Sequence, residues 1–211
     1  MAGARRWGAL VGLLSICSAV PAVRAEDTAT SLAVAGRAEC EAGRRAADRA
    51  ERKQRFEHGQ ALGERAVQLD EHNADAHFAV FCNMGELMRL DGESVSAALG
   101  VHRLMAEIDR TLELNPNHTD ALAAKGTLLL RLPRLLGGDA QKGEEMLRDV
   151  IQRDPSAFSS RLTLAKTCEA RGDRGEALAF ATRALQIARA QGRADKVAEA
   201  QAMLAELRGG R

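Results

Sequence analysis

Tyrosine is absent from this 211-residue chain, tryptophan occurs once and phenylalanine five times. Stacking on nucleobases, which needs flat side chains, therefore has almost no material to work with. Neither sign of charge dominates: 30 Lys and Arg stand against 29 Asp and Glu, a formal net charge of +1. That balance excludes a bulk electrostatic case for nucleic acid or for an anionic membrane surface. Four prolines leave long stretches in which nothing removes a backbone donor. Apolar runs of about 20 residues, the length that spans a bilayer, are also missing. Cysteine is scarce. Outside a leader-like segment it occurs at Cys40, Cys82 and Cys168, an odd and widely spaced set that reads as buried thiols rather than a disulfide framework. No two of them stand at zinc-ligand spacing with a histidine, so no metal or other cofactor is expected.

What is present begins with a leader. Arg5 and Arg6 precede an apolar run from Trp7 to Val20, followed by Pro21 and then Val23-Arg24-Ala25. A positive end, a short apolar core and a small residue at the exit predict a secretory signal peptide over residues 1–25, cut after Ala25. Its removal takes Arg5, Arg6 and Arg24 and no acid, so 27 basic side chains face 29 acidic ones, net −2. Leu14-Ser15-Ile16-Cys17 touches on a lipoprotein processing site, but Ile16 stands where a small residue is needed. A membrane enters the reading only if Cys17 is lipidated or the leader stays as an anchor. The expected location is the periplasm or the exterior.

The rest is rich in Ala, Leu, Arg and Glu, which favours helix throughout. It also repeats. Ala66-Val-Gln-Leu-Asp70, Thr111-Leu-Glu-Leu-Asn-Pro116, Asp149-Val-Ile-Gln-Arg-Asp-Pro155 and Arg183-Ala-Leu-Gln-Ile187 close helical patterns in the same manner. After each of the first three a fresh apolar-periodic run begins, at Ala76, Ala121 and Arg161. The cycle of helix, turn, helix, turn resembles the tetratricopeptide-repeat (TPR) family, whose unit is a 34-residue helical hairpin. The resemblance implies an all-α solenoid of about four antiparallel helix pairs with a C-terminal capping helix. Residues 26–39 read as a helical or partly disordered lead-in, and residues 40–193 as the array (40–73, 74–118, 119–157 and 158–193). Residues 194–211 are the cap and tail, with Val197, Ala200, Met203, Leu204 and Leu207 at helical spacing.

The family places small residues where its helices cross, since two helices lie about 8–10 Å apart only over small side chains. Gly126, Gly143, Ala165, Ala177 and Ala184 stand at those positions, and Ala47, Gly59 and Ala66 are offered by the first unit. Asp173 with Glu176 reads as a cap and capping-box partner.

Equivalent positions are 45, 39 and 34 residues apart at Leu69, Leu114, Arg153 and Ile187, so the second and third units carry 11 and 5 extra residues. Both insertions fall at the turn inside a pair. Eleven residues, about three helical turns, predict two lengthened helices with Asp91-Gly92 at their tip. The second insertion runs from Pro133 to Gly137. The two should share one edge, with Leu132, Leu135 and Leu136 packed on Leu90, Val95 or Leu99. A lengthened pair closing on Glu-Leu-Asn-Pro is similar to the regulator-of-microtubule-dynamics group of TPR proteins. Leu132-Pro-Arg-Leu-Leu-Gly-Gly-Asp139 is similar to a stretch in exported bacterial TPR proteins, among them the TPR component associated with TRAP transporters.

The resemblance also implies a concave groove lined by the first helix of each pair. The matching positions are Glu41, Arg44, Asp48, Glu51 and Arg52, then Asp75, Phe78, Cys82, Gly85 and Glu86, then Asp120, Ala123, Thr127, Leu130 and Arg131, then Ser159, Leu162, Lys166, Glu169 and Ala170. Phe78, Leu130 and Leu162 offer apolar anchors, while Arg44, Arg131 and Lys166 offer partners to carboxylates. The lysine–asparagine pattern that holds a terminal carboxylate in chaperone-binding relatives is missing, because Asp48 and Cys82 occupy the asparagine position.

No catalytic residue is expected. Gly137-Gly138-Asp139 lacks the lysine and hydroxyl end of a phosphate loop and reads as a turn with a helix cap. His58, His72, His77, His102 and His118 show no paired ligand spacing, and no recognised motif sets a histidine base beside a serine or threonine. The function expected is a non-enzymatic adaptor or scaffold of the cell envelope with a protein or peptide partner. An accessory of a periplasmic solute transporter and a microtubule-dynamics-like protein with an uncleaved anchor remain as alternatives.

Overall fold

The computed structural model describes residues 28–92 and 96–209, with the backbone alone over residues 96–99. The leader, Cys17 and Val95 lie outside the described residues. Nine α-helices occur among them: α1 (Ala29–Arg45), α2 (Arg49–Leu69), α3 (Ala74–Asp91), α4 (Ser96–Leu114), α5 (Thr119–Arg131), α6 (Ala140–Arg153), α7 (Phe158–Ala170), α8 (Arg174–Ala190) and α9 (Ala194–Gly209). A 3₁₀ turn at Arg134–Leu136 interrupts the α5–α6 connection. None of the described helices is long and apolar enough to cross a membrane.

Polar caps set these boundaries. Asp48, Asn73, Asp139 and Asp173 each accept a hydrogen bond from the backbone three residues on, which satisfies a donor that the helix itself leaves open. Asp173 caps α8 as the sequence indicates, but Glu176 turns away to Arg148 and Cys168. Gly92, Gly137, Gly172 and Gly192 close turns at positive φ, where a Cβ is strained.

Consecutive helices fold back as the hairpins α1–α2, α3–α4, α5–α6 and α7–α8, and α9 closes the end. Small residues sit at the crossings. Ala165, Ala177 and Ala184 are fully buried, and Gly126 and Gly143 oppose each other between α5 and α6. Phe158, Leu162, Cys168, Ile187, Met203, Leu204 and Leu207 form one apolar cluster across α7, α8 and α9. Leu32, Ala33, Ala66 and Ala76 form another at the first pair. Phe78, Ile108 and Ala121 join α3, α4 and α5.

Three further expectations change. The first hairpin begins at Ala29, inside the expected lead-in, rather than at Cys40. Thr28 and Ser31 make a capping box: each backbone N–H is held by the other's hydroxyl, at 3.0 and 3.1 Å. Helix α1 then runs through Cys40, so Ala47 falls in the turn and Asp48 becomes a cap.

Cys40 and Cys82 are joined by a disulfide, with an S–S distance of 2.13 Å and a Cα separation of 6.2 Å. Their separation of 42 residues conceals a packing contact, because α1 lies directly against α3. Cys168 is a free, buried thiol.

The lengthened pair exists, with 18 residues in α3 and 19 in α4 against 13 in α5. Of the three leucines expected to pack on its edge, Leu132 is half-buried and the other two are exposed. Leu135 is 94% exposed and Leu136 37%, although the turn lies beside α4 and left-handed Gly137 reverses the chain just after it.

Candidate functional site

The first helices of the pairs line one cleft of about 1250 Å³. Its shape follows from how unevenly those helices pack. Helices α1 and α3 form a tight seam. Asn83 Nδ2 donates to the Gly36 carbonyl at 2.9 Å, the Cys40–Cys82 bond follows, and Arg44 Nε donates to Glu86 Oε1 at 2.8 Å. The covalent and ionic links are each four residues apart on both helices, one turn along each, so they stack on the same face.

Between α3 and α5 no comparable seam exists. The two are tied at their N-terminal ends. Arg37, on α1, reaches Asp75 at 3.1 Å and Asp120 at 2.6 Å, and its guanidinium lies 5.0 Å from the Phe78 ring centroid. The ring of His118 stands 4.6 Å from that of Phe78. His118 caps α5 by accepting from the Ala121 N–H through Nδ1 at 3.2 Å. Its proton is therefore on Nε2, which donates to Asp75 Oδ1 at 3.3 Å. Past this knot the helices part, and α3 outruns α5 by about one and a half turns. The gap is the cleft.

Arg44, Phe78, Cys82, Glu86, Leu130, Arg131, Leu162 and Lys166 line it, whereas the groove positions Asp48, Glu51, Asp75 and Glu169 do not. Gly92 of the inserted edge reaches its rim, whereas Asp91, Pro133, Leu135, Leu136 and Gly137 stay outside. From the first pair, Glu41, Arg44 and Arg52 face the cleft; Asp48 caps α2, and Glu51 pairs with Arg55 on α2. Sequence reasoning missed Arg37, since it fell in the supposed lead-in, and Val101, Leu104 and Leu128, which belong to second helices or the far side of a first one.

The charges divide along the cleft. Glu86 is buried, 4% exposed, yet it takes hydrogen bonds from both Arg44 and Arg89, the latter at 3.4 Å. Burying a carboxylate costs less when two cations complete its shell. Arg131 and Lys166, on α5 and α7, have no carboxylate within ion-pairing distance among the described residues, and both are exposed.

One other cluster gathers donor atoms. Glu144, Cys168 and Glu176 bring theirs within 4.8 Å of one another. Both carboxylates are already engaged: Arg148 bridges them at 2.7 Å each, and Arg171 adds 2.7 Å to Glu144 and 3.3 Å to Glu176. Burial opposes ionisation of Glu144, but Arg148 and Arg171 outweigh it and hold the carboxyl below its usual range. Burial pushes the Cys168 thiol up to about 11, and its S–H donates a hydrogen bond to Glu176. A protonated thiol between guanidinium-bound carboxylates ties α6, α7 and α8 together and is a poor metal donor set.

No protein-family model matches the chain, and no curated protein matches it in sequence. Solved structures do. It superposes on TTC0263, a thermophilic TPR protein in Thermus thermophilus, with a TM-score of 0.62 and 17% identity over 85% of this chain and 82% of that one. MamA gives a TM-score of 0.52 and 16% identity, covering 78% of this chain and 81% of that one. Identities this low carry the fold and no more. The fold is a tetratricopeptide-repeat solenoid.

Proposed function

We propose that this chain is a non-enzymatic protein-binding adaptor of the cell envelope, whose cleft between α3, α5 and α7 receives a segment of a partner protein. The observation that carries this reading is the break in packing. A solenoid that seals α1 against α3 and leaves α3 apart from α5 presents a concave, amphiphilic surface of the size a peptide segment fills. Half-buried Phe81, Val101 and Leu128 supply apolar area, and the flanking Arg residues are of the type enriched where binding energy concentrates. The envelope assignment draws on the leader over residues 1–25 and on the Cys40–Cys82 disulfide, a bond that persists in oxidising compartments.

Photo-crosslinking tests it. A benzophenone side chain placed at Thr127 or Ser159, both in the cleft, is expected to capture a partner protein in intact envelopes. The same probe at exposed Glu145 on α6 is expected to capture nothing. Adducts of equal yield from all three positions, or from Glu145 alone, contradict the assignment.

A further inference from the structure

Taking the cleft to be the binding site, we infer that its occupant is an acidic peptide segment with apolar residues set among its carboxylates. Six cationic side chains and four carboxylates line the cleft among the described residues. Those near α1 are spent on one another: Arg44 and Arg89 share Glu86, and Arg37 holds Asp75 and Asp120. Three cations are left against one unpaired carboxylate among the described residues, Glu199 on α9. Arg131 and Lys166 have no carboxylate partner, and the Nε of Arg52 is buried with no hydrogen-bond acceptor among the described residues.

The net positive charge that remains in this concave surface draws anions and suppresses cationic competitors. Leu128 and Leu130, from the same helix as Arg131, set apolar contact area directly beside that field. A ligand matched to both must carry negative charge and apolar bulk within a few residues. A peptide does so. Nucleic acid does not fit as well, since no tyrosine or tryptophan lines the cleft among the described residues and the Phe78 ring is already occupied by Arg37 and His118.

The test selects from a random dodecapeptide phage library on the purified protein and measures enriched, fluorescein-labelled peptides by anisotropy. Three proteins are compared: the native one, Arg131→Glu/Lys166→Glu, and Ala123→Trp, which fills the cleft from its half-buried position on α5. Each must retain native helix content by circular dichroism. The expected result is enrichment of Asp and Glu beside Leu, Ile, Met or Phe. Affinity should weaken about tenfold or more in the charge-reversed protein and be abolished by Ala123→Trp.

If Ala123→Trp abolishes binding while charge reversal leaves it unchanged, the cleft stands as the site and the acidic occupant is wrong. Binding indifferent to both changes, or no enrichment at all, overturns the two readings together. Tighter binding of a labelled single-stranded RNA than of any enriched peptide overturns the peptide assignment.

Discussion

Gly126 and Gly143 face each other across the α5–α6 crossing so closely that a Cβ on Gly143 would stand 2.7 Å from the Gly126 carbonyl oxygen. The reverse substitution would bring a Cβ to 3.0 Å from the Gly143 carbonyl. The obstruction is backbone, which cannot rotate aside.

Gly143→Ala is therefore expected to destabilise the fold. Alanine gains up to about 1 kcal/mol in helix propensity, but overpacking at a fixed crossing costs about 1–3 kcal/mol, so the net change is a loss. Gly175→Ala in the first turn of α8, where nothing lies within 4 Å of the added Cβ, is expected to gain about 0.5–1 kcal/mol. Urea titration followed by circular dichroism checks both. A Gly143→Ala protein at least as stable as the native one would mean that the hairpin can spread at no cost.

The disulfide carries a second prediction. Closing a loop of this length in the unfolded chain contributes about 3–4 kcal/mol in the chain-entropy treatment. Cys82→Ser should lower the urea midpoint accordingly, and a dithiol reductant should lower the native midpoint to match while leaving the Cys82→Ser protein unmoved. Protein recovered from envelopes should have an intact mass lacking residues 1–25 and two hydrogens fewer than the fully reduced chain. Cys168, buried and with its thiol pushed up to about 11, should react with a thiol reagent only on unfolding.

His77 provides a pH dependence. Its Nδ1 lies 2.8 Å from the Glu107 carboxylate and its Nε2 lies 3.0 Å from the Glu71 carbonyl. Both ring nitrogens face acceptors, so the doubly protonated ring suits the site. The Glu107 hydrogen bond outweighs burial and raises the His77 pKa above 6.5. A raised folded-state value means that the contribution is fully present below the unfolded value and fades as pH rises through the folded one. The stability gap between the native protein and His77→Gln is therefore expected to be widest below about pH 6.5 and to narrow as pH rises through the raised folded-state value. A gap that widens with pH would show that the ring is held neutral.

Crossings such as Gly126–Gly143 were legible in the sequence because helices cannot approach over large side chains, whatever the tertiary detail. The caps Asp139 and Asp173 and the lengthened second pair were legible for similarly local reasons, whereas Asp48 reads as a groove position and caps α2 instead. The first hairpin was not: Ala46-Ala-Asp48 offers no Gly or Pro at the turn, and the informative signal was four glycines at close approaches, Gly36 against Gly59 and Ala79, Gly43 against Phe56, Gly59 against Asn83 and Gly63 against Val80. Cys40–Cys82 depends on α1 meeting α3, and an odd cysteine count misled because Cys168 is simply a core thiol. The cleft residues could be named one helix at a time, but the gap between α3 and α5 that unites them is a property of packing between pairs. Leu135 and Leu136 looked like edge packing and stand in the open instead.

The central claim, that a partner enters between α3, α5 and α7, is tested most directly by amide chemical-shift mapping of the isotope-labelled protein. The titrant is the peptide that the cleft selects. The account predicts shifts at Thr127, Leu130, Arg131, Ser159 and Lys166, with the outer faces of α2, α6 and α8 unmoved. Shifts confined to those outer helices, with the five cleft amides unchanged under saturating peptide, would contradict it.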